Sequence, residues 1–292
     1  MAIQPVVYGS STRPPRGNYA VAGDDYTCAQ NWDAYSPAQH ALYARLFRRQ
    51  IRQMPGHACD EFVHALGQLG TEHEIPRFED ISARLRRATR WEIVAVPGLI
   101  PEHAFFALLA QRRFPVTVWL REPEEFDYIV EPDVFHDLFG HVPLLFNPVF
   151  ADYMQAFGIG GLKAEGLDAL EYLARLYWYT VEFGLIETPR GLRVYGAGIL
   201  SSGGETVHAL TSMKPQRLAF DLVRVMRTAY RIDDFQDTYF VIRSFAQLFD
   251  ATAPDFAPLY RQLDALPALA SKARLPGEQV IAPNGPDAGR PA

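Results

Sequence analysis

Two histidines and one glutamate have the residue types that hold a single iron ion. His136 and His141 lie in the segment EPDVFHDLFGHVPLL (131–145), and Glu182 lies in LYWYTVEFGL (176–185). Two imidazoles and one carboxylate on one face of a metal form the facial triad of non-haem Fe(II) oxygenases, whose other positions stay open for dioxygen and substrate. The three residues therefore predict oxidation chemistry at a metal.

The spacing of the two histidines does not suit a regular helix. At about 100° per residue, residues five apart in an unbroken α-helix lie about 140° apart and do not share a face. Gly140 precedes His141 and Pro143 follows it, so we predict that a helix carrying His136 ends at the glycine and that the chain then turns back towards the metal.

Structural roles for the three residues stay open on spacing alone. Two histidines in an apolar segment are more often core or capping residues than ligands, and a glutamate can belong to a structural salt bridge. Glu182 favours the metal, because its neighbours are aromatic or aliphatic and a buried carboxylate without a partner is costly.

Six segments of the chain resemble one enzyme family in sequence and in order. They are VPGLIP (96–101), FPVTVWLREP (114–123), EPDVFHDLFGHVPLL, LARLYWYTVEFGL (173–185), YGAGILSS (195–202) and YRIDDFQDTYFVI (230–242). The chain resembles the pterin-dependent aromatic amino acid hydroxylases, and most closely the bacterial members that hydroxylate phenylalanine. Several long matches are far more specific than a short ligand pattern.

The resemblance implies a phenylalanine 4-monooxygenase. This activity uses L-phenylalanine, dioxygen and a tetrahydropterin (tetrahydrobiopterin or a bacterial equivalent) and gives L-tyrosine and a 4a-hydroxypterin. The implied metal is a mononuclear Fe(II) on His136, His141 and Glu182, with Tyr177 beside them as a fourth catalytic candidate. Phenylalanine catabolism is the expected pathway, and tyrosine synthesis stays open.

The resemblance also implies a pterin site. VPGLIP followed by Phe105 resembles the family's pterin loop, in which a tight glycine turn exposes backbone amides and an aromatic ring stacks on the flat pterin. Without the resemblance, Phe105 would be taken as a core residue of a helix. The implied pterin-binding residues are Gly98, Leu99, Ile100, Phe105, Asp137 and Ala174.

The substrate requires a cation for its carboxylate and an apolar slot for its ring. Arg121 matches the family's carboxylate-binding arginine, whose planar fork suits an acid group. Its alternative role is an ion pair with one of the glutamates at 122, 124 and 125. The other implied substrate residues are Pro132, Trp178, Phe183, Gly198 and Ser201, with His136 also contacting the ring.

Four positions bear on which aromatic amino acid is oxidised. Tryptophan hydroxylases have Phe where this chain has Trp178, and tyrosine hydroxylases have Asp where it has Ile232, so both positions resemble phenylalanine hydroxylases. Asp137 and Ile129, by contrast, replace a Glu and a Thr of the animal pattern. Hydroxylation of tyrosine or tryptophan therefore stays an alternative. So do a zinc hydrolase with an activated water and an inactive amino acid binding protein that keeps Arg121.

Composition excludes several other classes. The chain has 292 residues, a net charge of −6 and a pI near 5.8, which give no electrostatic footprint for nucleic acid or an anionic membrane. No apolar run approaches the ~20 residues of a membrane span. Cys28 and Cys59 form no disulfide pattern, so we expect a cytoplasmic enzyme.

The pattern along the chain predicts a mostly α fold, α+β with a small β-sheet, in the single-domain catalytic fold of the family. We expect a flexible N-terminal arm (1–30), a catalytic domain (31–268) and a flexible C-terminal tail (269–292), and a monomer because the tail replaces an assembly helix of animal members. Ser36 and Pro37 should start the first helix. Further helices are predicted at 60–69, 80–88, 102–112, 148–157, 169–183 and 215–230, and strands at 92–96, 116–120 and 192–195.

Overall fold

The computed structural model describes residues 16–70, 72–127, 129–231 and 234–285. Ile232, considered above for substrate choice, lies outside these residues. The chain falls into two compact units, of which the first comprises Met1–Arg49 and His64–Ile159 and the second comprises Gln50–Val63 and Gly160–Ala292. The predicted class is confirmed, since helices predominate and the strands form small sheets.

The N-terminal half of the chain is mainly helical. Its elements are α1 (Pro37–Gln53), α2 (Asp60–Leu66), α3 (Phe78–Thr89), β1 (Glu92–Val96), α4 (Glu102–Ala110), β2 (Arg113–Thr117) and α5 (Pro148–Glu165). Ser36 Oγ accepts a hydrogen bond from Gln39 N at 3.2 Å, and the Gln39 side chain accepts one from Ser36 N at 2.9 Å. This reciprocal capping starts α1 at Pro37, as predicted.

Strands β1 and β2 form a parallel pair joined by α4. The register runs from Glu92 opposite Arg113 to Val96 opposite Thr117. The prediction of a strand at 116–120 is therefore displaced towards the C-terminus. The pairing ends at Val96, where Val118 N donates to Val96 O at 3.1 Å.

The C-terminal half adds a mixed sheet and shorter helices. Its elements are α6 (Leu170–Tyr177), β3 (Leu185–Thr188), β4 (Gly191–Val194), α7 (Ala197–Ser201), α8 (Glu205–Thr211), β5 (Gln216–Ala219), α9 (Leu222–Arg227), β6 (Thr238–Ile242), α10 (Phe245–Thr252) and α11 (Ala257–Asp264). The strand order is β4-β3-β6-β5, with β3 and β4 antiparallel and the other pairs parallel.

The predicted helix at 215–230 is wrong. Gln216–Ala219 is strand β5 and pairs with β6, and the helix is limited to Leu222–Arg227. Asp221 separates the two elements, because its side chain accepts a hydrogen bond from Arg224 N at 2.8 Å and caps α9. A short apolar run cannot be assigned to helix or strand from its periodicity alone, and the pairing with β6 decides it here.

Both terminal segments make contacts where they are described. Tyr19 Oη donates to Leu99 O at 2.9 Å and Cys28 N donates to Ala95 O at 2.9 Å. Near the other end, Ile281 N donates to Arg217 O at 2.8 Å. The boundaries at 1–30, 31–268 and 269–292 stay predictions. In the described part of the chain, every helix is too short or too polar to cross a bilayer.

Candidate metal centre

His136 and His141 lie on one turn of π-helix, His136–His141. Val142 N donates to Asp137 O, five residues earlier, at 3.3 Å. Such a turn brings residues five apart towards the same face, where the α-helical spacing would separate them. The two Nε2 atoms consequently lie 3.1 Å apart.

The predicted helix end at Gly140 is wrong. Gly140 is buried inside the π-helical turn, and the chain leaves it only through a short 3-10 helix, Pro143–Phe146. The physical difference lies in the winding. The wider π-helical turn brings two residues that are five apart to one side without a reversal of the chain. Pro143, which has no N–H to donate, ends the π-helical winding.

Strand β2 supports this turn from one side. The Phe114 ring lies 5.1 Å from the His141 ring, centroid to centroid, and tilted to it by 35°. At the end of the strand, Thr117 N donates to Asp137 Oδ2 at 2.8 Å. Ring and backbone contacts from one strand therefore fix the side that bears His141.

Aromatic side chains support the turn from α1. Phe135 and Phe139 stack at 5.2 Å, Tyr43 meets Phe135 edge-on at 5.8 Å, and Phe47 meets Phe139 edge-on at 5.2 Å. All four are buried. Aromatic pairs of this kind contribute about 0.5–1.5 kcal/mol each beyond their buried area, so the turn is held rigidly.

Glu182 lies on a second π-helical turn. Helix α6 continues as Trp178–Glu182 with π geometry, and Phe183 N donates to Trp178 O at 2.9 Å. A Cβ on Gly196 would lie 2.4 Å from Glu182 O, and one on Gly198 would lie 3.2 Å from its carboxylate Oε2. Glycines at both positions therefore let α7 approach the glutamate closely.

The three side chains match the needs of one metal ion. His136, His141 and Glu182 each offer one ligand atom, and these atoms all lie within 4.8 Å of one another. Two nitrogens each about 2.1 Å from one ion and at right angles to each other are about 3 Å apart, which agrees with the 3.1 Å between the Nε2 atoms. Two imidazoles and a carboxylate are also the donor set of a non-haem Fe(II) centre.

Arg121 forms a buried two-bond pair with Asp133. Its Nε donates to Oδ2 at 2.8 Å and its Nη2 donates to Oδ1 at 2.9 Å. Asp133 also accepts from His136 N at 2.9 Å. Burial alone would raise the pKa of Asp133, but the charge of Arg121 and these hydrogen bonds hold it below its usual range. The partner of Arg121 is thus Asp133 and not an adjacent glutamate.

Asp137 is a second buried carboxyl group next to the histidines. Burial raises its pKa to about 7, against the lowering effects of His141 and of the hydrogen bond from Thr117. The Asp137 side chain is therefore hydrogen-bonded to the backbone of β2 and also lies beside the metal ligands. A longer Glu at this position would need a different contact with Thr117.

The other pterin candidates have contrasting surroundings. Gly98, Leu99 and Ile100 follow β1, where a Cβ on Gly98 would lie 2.4 Å from Arg16 O. Phe105 is half-buried on α4, with one side against the core formed by Val96, Ile100, Ala104 and Leu108 and its ring 5.7 Å from that of Phe106. Ala174 is half-buried on α6. The pterin roles stay predictions.

Two of the residues predicted to contact the substrate ring are aromatic, and they lie on the second π-helical turn or directly after it. Trp178 and Phe183 are half-buried with ring centroids 5.0 Å apart. Ser201 is buried on α7, and its Oγ donates to Gly198 O at 3.4 Å. The remaining candidates, Tyr177 and Pro132, are half-buried. These substrate roles also stay predictions.

Three residues with contacts to the candidates were missed by sequence reasoning. Asp133 lies three residues before His136 and directly before the apolar pair Val134 and Phe135, and an acid at that place was a usable signal. Tyr230 stacks on Trp178 at 4.4 Å, and Gln236 Oε1 accepts from Trp178 Nε1 at 3.2 Å. Both belong to the segment 230–242, which was noted only for its resemblance.

The chain is similar to known proteins of a single family. Residues 22–260 match the model of the family described as biopterin-dependent aromatic amino acid hydroxylase. The chain is 61% identical over 256 residues to phenylalanine-4-hydroxylase of Chromobacterium violaceum, covering 86% of each chain. It is 58% identical over 258 residues to that of Ralstonia nicotianae, covering 88% of this chain and 82% of the relative.

A solved structure extends the similarity to the fold. Phenylalanine hydroxylase of Chromobacterium violaceum bound to cobalt superposes with a TM-score of 0.87 at 58% identity, over 89% of this chain and 94% of that one. That relative binds cobalt, a first-row transition metal.

Proposed function

The chain belongs to the biopterin-dependent aromatic amino acid hydroxylase family, and on that premise we propose that it is a phenylalanine 4-monooxygenase. It converts L-phenylalanine to L-tyrosine with dioxygen and a tetrahydropterin. The main support is the grouping of His136, His141 and Glu182 within 4.8 Å in a chain 61% identical to a relative named for this reaction.

The proposed metal ligands are His136, His141 and Glu182. Iron held there would supply open coordination positions for dioxygen, and the pterin would supply reducing equivalents. Each histidine presents Nε2, so a neutral ring carries its proton on Nδ1. Because both histidines share one rigid turn, their nitrogens are preorganised for a single ion.

We propose that Gly98, Leu99, Ile100, Phe105, Asp137 and Ala174 bind the pterin. The half-buried ring of Phe105 supports this, since it packs against the core cluster and is thereby fixed. A fixed ring stacks on a flat heterocycle at little cost in side-chain entropy. The hydrogen bond from Tyr19 Oη to Leu99 O at 2.9 Å holds the loop in place.

We propose that Arg121 binds the substrate carboxylate. A guanidinium has five N–H donors, of which Asp133 takes two, so three remain for a second acid group. Asp133 holds the fork in one orientation, and the remaining donors form charge-assisted hydrogen bonds.

We propose that Pro132, Trp178, Phe183, Gly198 and Ser201 line the ring-binding side and that Tyr177 positions ligands or solvent. The indole and phenyl rings, 5.0 Å apart and tilted by 35°, form an apolar wall, which excludes water from the oxidation. A hydroxylase of tryptophan or tyrosine is the second candidate, because Asp137 and Ile129 depart from the animal pattern.

Location and assembly are also part of the proposal. Both cysteines are free, which is typical of a reducing compartment, and Fe(II) and a reduced pterin require one, so we place the enzyme in the cytoplasm. We propose that it acts as a monomer without nucleic acid or membrane partners. Light scattering at micromolar concentration tests the monomer, and a stable dimer or tetramer would contradict it.

One reconstitution tests the proposed activity. The protein is loaded with Fe(II) and given L-phenylalanine, a reduced pterin and air, with tyrosine as the readout. Tyrosine should form only when all four are present, and Zn(II) in place of iron should give none. Faster turnover of tryptophan or tyrosine would favour the second candidate. Product with Zn(II) alone, or no product at all, would contradict a pterin-dependent hydroxylase.

A further inference from the structure

The indole of Trp178 has a single defined orientation. Its Nε1 donates to Gln236 Oε1 at 3.2 Å, its ring stacks on Tyr230 at 4.4 Å with 20° between the planes, and Phe183 lies against it at 5.0 Å. Stacking alone allows a ring to slide or turn in its own plane, whereas a hydrogen bond at the ring edge does not. The bond to Gln236 therefore completes the fixation of the indole.

The amide of Gln236 is itself fixed. Its Oε1 also accepts from Arg231 N at 3.2 Å, and its Nε2 donates to Arg231 O at 2.7 Å. A flipped amide would direct its NH2 group at two N–H donors, so only one orientation satisfies the contacts. Gln236 is 2% exposed, so water cannot readily replace these partners.

The backbone of Gln236 is held by a buried carboxyl group. Gln236 N donates to Glu205 Oε1 at 3.1 Å, and Tyr239 Oη donates to the same oxygen at 2.7 Å. Glu205 lies in the first turn of α8, and both it and Tyr239 are buried. The contacts therefore run from α8 through Gln236 to the edge of the Trp178 ring.

We propose that Gln236 is a positioning residue that sets the orientation of Trp178 and thereby the preference of the enzyme for phenylalanine over the larger ring of tryptophan. This inference rests on the proposed function, in which Trp178 lines the ring-binding side. Gln236 acts through the indole N–H, so its influence disappears when residue 178 has no such group. Loss of one neutral hydrogen bond corresponds to a change of about threefold to tenfold in that preference.

A double-mutant cycle between Trp178 and Gln236 tests the proposal. Gln236→Met removes the acceptor at similar length, and Trp178→Phe removes the indole N–H. The ratio of kcat/KM for phenylalanine to that for tryptophan should fall about threefold to tenfold in Gln236→Met. In the Trp178→Phe background the same change should alter the ratio by less than about twofold. Equal effects in both backgrounds would overturn the proposal.

A measurement without catalysis separates this inference from the proposed function. In protein labelled with 15N-tryptophan, the indole resonance of Trp178 is identified by its loss in Trp178→Phe. This resonance should shift in Gln236→Met. It should also shift in Gln236→Asn, a smaller change that keeps an amide and serves as the test if the Met variant does not fold. An unmoved resonance would refute the inference. A wild type that forms no tyrosine would refute the proposed function, while the resonance would still report on Gln236.

Discussion

Glu205 should make the folded protein less stable as the pH rises, and Glu205→Gln should remove that effect. Burial raises the pKa of this carboxyl group from its ordinary 4.5 to about 7, with Asp234 adding to the rise and the hydrogen bonds from Tyr239 and Gln236 N opposing it. Since the folded-state pKa exceeds the unfolded one, the folded state holds the proton more tightly. Stability is then full below about pH 4.5 and is lost as the pH rises to about 7.

The size of the effect follows from the shift. A change of one pKa unit corresponds to about 1.4 kcal/mol, so the shift of Glu205 destabilises the fully ionised state by about 3 kcal/mol. Between pH 5 and pH 8, ionisation of Glu205 should therefore lower the free energy of unfolding by about 2 to 3 kcal/mol. Gln cannot ionise, and its side-chain oxygen can still accept from Tyr239 and Gln236. The stability of Glu205→Gln relative to wild type should therefore increase by that amount over this range.

Urea unfolding of the metal-free protein, followed by circular dichroism at both pH values, measures the difference. Only the difference between variant and wild type is compared, so that other titrating groups cancel. Glu187→Gln, at an exposed glutamate of β3, is the matched control and should behave as wild type at both pH values. The reasoning would be refuted if the difference in unfolding free energy between Glu205→Gln and wild type did not change with pH. It would also be refuted if the variant were less stable than wild type at pH 8.

Three further predictions concern the proposed site. Gly196→Ala places a Cβ 2.4 Å from Glu182 O and should abolish most iron binding, as measured by metal analysis. The control Gly160→Ala, whose Cβ would meet nothing within 4 Å, should retain iron binding. Full iron content in both variants would show that α7 does not position the glutamate. Arg121→Lys should weaken phenylalanine binding in calorimetry by about 1.5 to 3 kcal/mol with iron unchanged, since it loses the planar fork; normal binding would assign the arginine a purely structural role. Phe105→Ala should weaken pterin binding by about 0.5 to 1.5 kcal/mol more than phenylalanine binding, and equal losses would favour core packing.

Local signals predicted two of the elements around the candidate site. The capping pair at Ser36 and Gln39 started α1 where the sequence placed it, and the helical pattern at 169–183 corresponds to α6 with its π-helical extension to Glu182. These features depend on neighbours within a few residues, and such neighbours are visible in the sequence.

Features that depend on distant partners were not predictable in the same way. Strand β5 was taken for helix because its pairing with β6 is not visible in its own pattern. The winding at Gly140 was taken for a helix end, since glycine near a proline usually marks one and a π-helical turn has no sequence signature of its own. The pairing of Arg121 with Asp133 joins residues that are twelve apart in sequence, whereas three glutamates are nearer to the arginine in sequence.

Iron content and tyrosine formation in the same preparations test the central claim most directly. Wild type, His141→Ala and the control His73→Ala, whose histidine is 84% exposed, are purified without metal, loaded with Fe(II) and assayed with phenylalanine, reduced pterin and air. Wild type and His73→Ala should bind iron and form tyrosine, whereas His141→Ala should lose most iron and all turnover with its helical content intact. Full iron binding and turnover in His141→Ala would contradict the assignment of the metal centre.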